Sequence, residues 1–236
     1  MKKFLWKKKY RGGFTLAEVL ITLGIIGVVA AMSIPALINN VRAVKLRSQF
    51  NKAHAEVQLA FKTMADNESV APSDYPRLDG GDKAFYKEFI KYFKSGFDCG
   101  VSHAGANISN LPCYPLSKNY RTLDGKTNVN SGWLDDGQIG LMDGTLVLFE
   151  NYVGRLWLFI DINGYNNPPN QWGVDLFTFQ VTDDGLLPMG NAKTTYNDAD
   201  KYCDPSKSDS LNGITCAEKA VKDPNYFKDL YKNYRK

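Results

Sequence analysis

The longest hydrophobic pattern in the chain lies near its N-terminus. Residues 19–38 are twenty uncharged, mostly apolar residues, and between Gly13 and this run Glu18 is the only charge. Twenty residues of α-helix extend about 30 Å, the hydrocarbon thickness of a bilayer. The pattern therefore predicts a membrane-spanning helix over residues 14–40. Pro35 lies inside the run, where it removes one backbone hydrogen bond and is expected to bend or loosen the helix.

Beyond residue 40 the pattern becomes amphipathic. Apolar residues recur at alternating steps of four and three and so share one helix face: Leu46, Phe50, Ala53, Val57, Ala60 and Met64. No proline or glycine interrupts residues 41–68, so we predict one helix from Phe14 to about Asp66, roughly 80 Å long. The apolar seam formed by these six residues could pack on another chain or on the protein's own sheet. The short repeat and the mixed polar face favour packing on the sheet. Phe61 is predicted to join this core, and His54 to be solvated.

The remaining residues, 73–236, are predicted to form a globular head. A helical stripe of aromatic residues covers residues 82–95. Four β-rich segments separated by turn-forming residues follow, at 138–142, 145–149, 155–162 and 175–181. We expect an antiparallel meander whose apolar face covers the helix seam. The predicted fold class is α+β, a long N-terminal helix packed on a small antiparallel sheet.

The composition is that of a folded protein, with 44% hydrophobic and 23% charged residues. Six cations and no acids occupy residues 1–13; subtracting these six from the formal net charge of +4 leaves −2 for residues 14–236. General affinity for nucleic acid is therefore not predicted. A basic segment before an apolar run has the form of an export signal, with the N-terminus cytoplasmic and the head exported. An ordinary cleaved signal is the alternative, for which Val29-Ala30-Ala31 offers a small-residue site.

The junction between the basic segment and the apolar run reads Gly13-Phe14-Thr15-Leu16-Ala17-Glu18. This stretch resembles the processing signal of bacterial type IV pilins and type II secretion pseudopilins, closely over roughly residues 7–40 and loosely over the head. The resemblance implies that a prepilin peptidase cuts after Gly13, methylates the new amine of Phe14 and removes residues 1–13 as a leader. Pilins of this kind often carry a proline at the distance of Pro35 from the cut.

The resemblance also implies a location and partners. The protein would be a single-pass protein of the bacterial inner membrane before it joins other pilin or pseudopilin subunits. An inner-membrane assembly platform would build them into a filament in the periplasm or at the cell surface. The predicted function is thus that of a structural subunit without catalytic activity.

Glu18 is the predicted assembly residue. Cleavage would leave a cationic amine at Phe14 inside an apolar bundle of helices, where an unpaired charge is costly. Glu18 lies one helical turn further on and can offset that amine in its own chain or in a neighbour. In the family that the sequence resembles, the carboxylate is thought to pair with the amine of an adjacent subunit. An incidental acid at the membrane interface is the plainer alternative.

Four cysteines follow the membrane segment and so fall in an oxidising, exported compartment: Cys99, Cys113, Cys203 and Cys216. Three pairings are possible. Short loops with turn-forming residues favour Cys99–Cys113 and Cys203–Cys216. Zinc is the alternative, although the close spacing of a typical zinc site is missing. Some pilins have a C-terminal disulfide that bounds a surface loop, and Cys203–Cys216 would be its counterpart.

The candidate metal site consists of Asp161, Asn163 and Asp175. Their hard oxygen atoms suit calcium, which certain pseudopilins resembling this chain bind in a loop of the head. The twelfth position from Asp161 is Trp172 instead of an acid, so the segment is not an EF-hand. Turn chemistry explains the Asp, Asn and Gly residues equally well. Calcium is the only cofactor that the sequence suggests.

Signals for an enzyme are few. The two histidines are His54 and His103, and the sequence contains no nucleophile elbow, HExxH or phosphate-binding loop. The acid pairs Asp135-Asp136 and Asp183-Asp184 would suit a glycosidase, but acids in such turns are usually solvated. Three aromatic residues could form a surface that binds sugar or nucleic acid, although core packing is favoured: Trp157, Trp172 and Tyr165.

Two alternatives to a filament subunit remain open. A competence-type pilin would capture DNA, for which a basic tip at residues 228–236 would suffice. A membrane-anchored, exported binding protein would share the anchor but would not polymerise.

Overall fold

The structure is a computed structural model that describes residues 13–69, 71–75, 84–94, 96–101, 113–115, 119–152 and 154–233. The predicted leader up to residue 12, His103 and the last three residues of the predicted basic tip lie outside this range. The helices are α1 (Leu16–Asn67), α2 (Ala84–Phe89), α3 (Ala199–Tyr202), α4 (Cys216–Lys222) and α5 (Tyr226–Asn233). The strands are β1 (Gly96–Gly100), β2 (Gln138–Leu141), β3 (Leu146–Tyr152), β4 (Arg155–Asp161), β5 (Leu176–Thr182) and β6 (Gly185–Pro188). This is the α+β architecture that the sequence predicts.

Helix α1 is continuous over 52 residues, from Leu16 to Asn67. Thr15 is its N-cap, and the backbone N–H of Glu68 closes its C-terminal end by donating to the Met64 carbonyl at 2.9 Å. The predicted single helix is therefore confirmed. Pro35 lies within it without ending it, and the predicted bend at this residue stays a prediction.

Within the described residues, the sheet contains six strands that pair in sequence order, each antiparallel to the next. The predicted meander is correct, but its strand number is wrong because β1 and β6 were missed. Strand β1 contains two glycines in five residues, and β6 is four residues long and ends in proline. Both features weaken the alternating pattern from which strands are predicted.

The sheet is buried on both faces, whereas the sequence predicted only one covered face. Along β4, Leu156, Leu158 and Ile160 belong to the core that contains the α1 seam. Trp157 and Phe159, which alternate with them, belong to a second core on the opposite face. This second core also contains Trp172 and Tyr165, so the three aromatic residues considered for a binding surface are core residues.

The α1 seam packs on the protein's own sheet, as the sequence favours. All six of its residues are buried, as is Phe61. The Phe50 ring lies edge-on to Phe177 of β5, with ring centroids 4.6 Å apart. The prediction for His54 is wrong, since its ring is half-buried and stacks on Phe179 of β5 at 5.2 Å. Burial lowers the pKa of His54 below its usual 6.5.

Two other parts of the head differ from the prediction. The helix predicted over residues 82–95 is shorter, because Ala84–Phe89 is followed by a 3₁₀ turn at Ile90–Tyr92. The resemblance implied a C-terminal loop, but three short helices follow β6. The last of them packs on α1, where Phe227 lies 5.8 Å from the Phe50 ring. Arg47 of α1 donates to the backbone carbonyls of Ala220 and Asp223, which lie at the end of α4 and just after it.

Candidate assembly helix and head sites

The start of α1 is closed by a capping box. The backbone N–H and the hydroxyl of Thr15 both donate to Glu18 Oε2 at 2.8 Å. In return, the Glu18 N–H donates to Thr15 Oγ1 at 3.2 Å. These bonds satisfy N–H groups that a helix start otherwise leaves without a partner. The Thr-x-x-Glu spacing was readable in the sequence, but the cap was missed because Glu18 was considered only as a charge partner.

The predicted cleavage bond lies outside the helix, just before this cap. Gly13 and Phe14 precede the first helical residue, and the Phe14 side chain is 90% exposed. Among the described residues, nothing lies within 4 Å of a Cβ placed on Gly13. The bond between Gly13 and Phe14 is therefore accessible to an enzyme. The cap also holds the Glu18 carboxylate one residue away from the amine that such a cut would create.

The first half of α1 extends beyond the head. Within the described part of the chain, α1 is the one helix long and apolar enough to cross a membrane, with a mean hydropathy of 2.3 over its most apolar stretch. None of that stretch is buried, and the first buried residue of the helix is Ala43. Side chains such as Ile21, Ile26 and Leu37 are each 62% exposed. A continuous apolar surface of this size requires a bilayer or other helices to cover it.

Both favoured disulfides are present, Cys99–Cys113 and Cys203–Cys216, with Cα atoms 5.7 and 5.0 Å apart. The four sulfur atoms are therefore not available as zinc ligands. Cys203–Cys216 joins the end of α3 to the first residue of α4. Gly173 packs against this bridge with a positive φ of 72°, and a Cβ there would lie 2.7 Å from Cys216 Sγ. A side chain at position 173 is thus excluded by both the backbone and the bridge.

In the candidate calcium site, Asp161 and Asp175 are both fully buried. Asp161 accepts hydrogen bonds from the Tyr120 hydroxyl at 2.7 Å and from the N–H groups of Asn163 and Gly164 at 3.1 and 2.8 Å. Burial raises the pKa of Asp161 to about 6. Both oxygens of Asp175 accept from the backbone N–H groups of the Asn170–Gln171 turn. These bonds are those of a turn-stabilising carboxylate, and a calcium ion would have to displace them; calcium binding stays a prediction.

Position 164 of this segment must be a glycine. Its φ is +78°, and a Cβ there would lie 2.3 Å from the Gly144 carbonyl oxygen in the turn between β2 and β3. The two loops touch through their backbones, so only glycine fits.

One of the two acid pairs is not solvated as predicted. Asp135 and Asp136 are each only 9% exposed and lie with Glu150 of β3, which is 3% exposed. Carboxylate oxygens of the three residues come within 4.8 Å of one another. Asp136 Oδ2 accepts from the Asn151 N–H at 2.7 Å, and Arg155 forms an ion pair with Glu150. The sequence missed this cluster because β3 supplies its third member. The other pair, Asp183-Asp184, is exposed as expected.

Comparison with known proteins adds a finding at the N-terminus. Residues 8–34 match the prokaryotic N-terminal methylation motif. No curated protein and no solved structure matches the chain. The matched region contains Gly13, Phe14 and Glu18 and most of the exposed half of α1.

Proposed function

We propose that this chain, which carries a prepilin-type N-terminal signal on a pilin-like α+β fold, is a structural subunit of a type IV pilus-like or type II secretion filament. A prepilin peptidase cuts it after Gly13 and methylates Phe14. The observation that supports this best is the position of the methylation motif, at the start of a half-helix that has no buried residue. No catalytic role is proposed for the head.

In this proposal the apolar half of α1 has two successive environments. It first crosses the inner membrane, with the basic leader cytoplasmic and the head exported. An assembly platform then moves it into a bundle of identical helices. Lipid tails and leucine side chains are equally apolar, so hydrophobic burial alone does not favour the bundle over the membrane. Helix packing and polar pairing must supply the difference.

Glu18 is the polar group suited to that role. Its Oε2 atom accepts both hydrogen bonds from Thr15, and within the described residues Oε1 has no hydrogen-bond partner. Oε1 is therefore open to the amine of Phe14, in the same chain or in an adjacent subunit. A carboxylate fixed at a helix N-terminus is also stabilised by the helix dipole. The cap thus positions the acid before its partner amine exists.

The proposal is tested by expressing the full chain with and without a prepilin peptidase and measuring its mass. We expect a chain that begins at N-methylated Phe14 with the peptidase, and an intact leader without it. A leader that stays in both cases, or a chain cut within the apolar run near Met32, would refute the proposal.

Substitution of Glu18 then tests assembly separately. Glu18→Gln is expected to be processed normally but to reduce filament yield, because a neutral amide cannot offset the amine. Thr15→Ala breaks the cap and leaves the acid, so it should reduce yield less. Asp66→Asn, an exposed acid at the far end of α1, is the matched control. Normal filament yield from Glu18→Gln would refute the assembly role of Glu18, whereas a wild-type chain that is processed but forms no filaments would favour a membrane-anchored binding protein.

A further inference from the structure

A cleft of about 490 Å³ lies where α1 leaves its apolar half and meets the head. Arg42, Lys45 and Gln49 of α1 form one wall. Asn163 and Pro168, from the loop between β4 and β5, form the other. Its size is within the range of small-molecule sites. The segment singled out in the sequence for calcium therefore contributes to a site of a different kind.

The position of the cleft relative to a membrane follows from the helix. The apolar run ends at Ile38, so Arg42 and Lys45 lie about 6 and 10 Å further along the axis. Lipid headgroups occupy roughly 5–8 Å beyond each face of the hydrocarbon layer. Arg42 is thus at headgroup level, and the long side chain of Lys45 can reach back to it. This placement rests on the membrane orientation in the proposed function.

The cleft is positively charged. Its described lining residues include two cations and no acid. Neighbouring cations on α1 are engaged, since Lys52 pairs with Asp143 at 2.7 Å and Arg47 donates to backbone carbonyls. Arg42 and Lys45 have no ion-pair partner among the described residues. Cations on the exported side also oppose the usual preference for positive charge in the cytoplasm, so their presence there calls for an anion.

The cleft also contains hydrogen-bond acceptors without donors. Gln49 Oε1 and Asn163 Oδ1 are buried and have no hydrogen-bond partner among the described residues. The Asn163 amide cannot simply turn over, because its Nδ2 donates to the Asn167 carbonyl at 2.7 Å. A buried acceptor without a donor is unfavourable. These two oxygen atoms have almost no solvent-accessible surface, so a ligand reaches them only when the side chains turn towards the cleft. A ligand that carries both a negative charge and hydroxyl donors would then satisfy the whole site.

We propose that this cleft binds the headgroup of an anionic phospholipid of the phosphatidylglycerol class. The phosphodiester lies between Arg42 and Lys45, and the side chains of Gln49 and Asn163 turn towards the glycerol hydroxyls and accept hydrogen bonds from them. A zwitterionic headgroup would bring an ammonium group close to two cations, which repel it. The bound lipid would hold the base of the head at the membrane surface until assembly.

The test uses the full chain in nanodiscs that contain equal amounts of phosphatidylglycerol, phosphatidylmethanol and phosphatidylcholine. Phosphatidylmethanol is anionic but has no headgroup hydroxyl. Lipids retained after transfer to mild detergent are counted by native mass spectrometry. We expect phosphatidylglycerol to exceed phosphatidylmethanol, and both to exceed phosphatidylcholine.

Variants test whether the selective retention of anionic lipids arises from the cleft. Arg42→Gln with Lys45→Gln should lower retention of both anionic lipids, by about fivefold for each cation removed. Lys62→Gln with Lys87→Gln removes the same charge from exposed sites away from the cleft and should change nothing. Gln49→Leu should lower phosphatidylglycerol retention towards that of phosphatidylmethanol. Unchanged far-ultraviolet dichroism shows that each variant is folded.

Equal retention of the three lipids, or an equal loss in the control variant, would overturn the inference. Displacement of the lipid by an equimolar amount of soluble glycerol phosphate would also overturn it, because a lipid held in the membrane should be displaced only by a large excess. The result is separable from the test of the proposed function, since lipid counting does not require cleavage or filaments. A chain that keeps its leader yet selects phosphatidylglycerol would refute the filament subunit alone.

Discussion

Substitution by alanine should affect the stability of the head very differently at two leucines of α1. Leu46 is 6% exposed in the seam, whereas Leu37, nine residues earlier, is 62% exposed. Leu→Ala in a protein core costs about 2–5 kcal/mol. We expect about 2–3 kcal/mol for Leu46→Ala, at the lower end of that range, because Leu46 lines the cleft and is therefore packed on fewer sides. For Leu37→Ala we expect less than about 0.5 kcal/mol, since alanine and leucine have similar helix propensities and no head contact is lost.

The assay is urea unfolding of the detergent-solubilised chain, followed by tryptophan fluorescence. Trp157 and Trp172 are buried in the second core and so report on the head. With a urea dependence of about 2 kcal/mol per M, Leu46→Ala should lower the midpoint by about 1–1.5 M and Leu37→Ala by less than about 0.25 M. Filament yield should show the reverse order. Equal midpoint shifts would refute the division of α1 into a head-packing half and an exposed half.

Three further predictions concern the head. Removing the Cys203–Cys216 bridge by paired alanines should lower the free energy of unfolding by about 3 kcal/mol. This loss should exceed the loss from removing Cys99–Cys113, whose loop is of similar length but whose Cys113 is only half-buried. A smaller urea midpoint shift for Cys203–Cys216 than for Cys99–Cys113 would contradict the prediction. Because burial lowers the pKa of His54, the unfolded chain binds more protons just below pH 6.5, so stability should fall as the pH drops from 7 to 5; His54→Gln should reduce that fall in urea titrations at the two pH values. If the Asp161 loop is a turn only, 1 mM calcium should raise the melting temperature by less than about 1 °C relative to chelator, whereas a rise of several degrees that Asp161→Asn abolishes would establish a calcium site.

The long helix and the order of the central strands could be predicted because both are encoded locally. An apolar run and a four-three repeat each specify a helix over adjacent residues. Strands β3, β4 and β5 are rich in β-branched and aromatic residues and are bounded by turns. Burial of both sheet faces could not be predicted in the same way. The segments that cover the second face, around Tyr114 to Leu134 and around Ile214, have no periodicity that marks them as core.

Candidate sites could be predicted only where their members are close in the sequence. Short loop lengths were enough to suggest both disulfides, and one helical turn was enough to relate Phe14 to Glu18. The burial of His54 depends on Phe179, and the acid cluster depends on Glu150 of β3, whereas Asp136 lies in the segment that precedes β2. Such contacts are set by strand register and by how the helix lies across the sheet, neither of which a single sequence specifies.

The structure separates folding of the head from assembly along one helix. Within the described residues, the buried part of α1 begins at Ala43, so the head core takes nothing from the apolar half. In the proposed assembly, transfer of that half from bilayer to helix bundle would therefore leave the core unchanged. The free-energy difference between membrane and filament must then arise from three sources outside the core: packing between apolar helices, pairing of Glu18 with an amine, and release of the lipid that we place between Arg42 and Lys45. Because lipid release opposes assembly while the other two favour it, weakening the cleft should promote filament formation as long as Glu18 is intact.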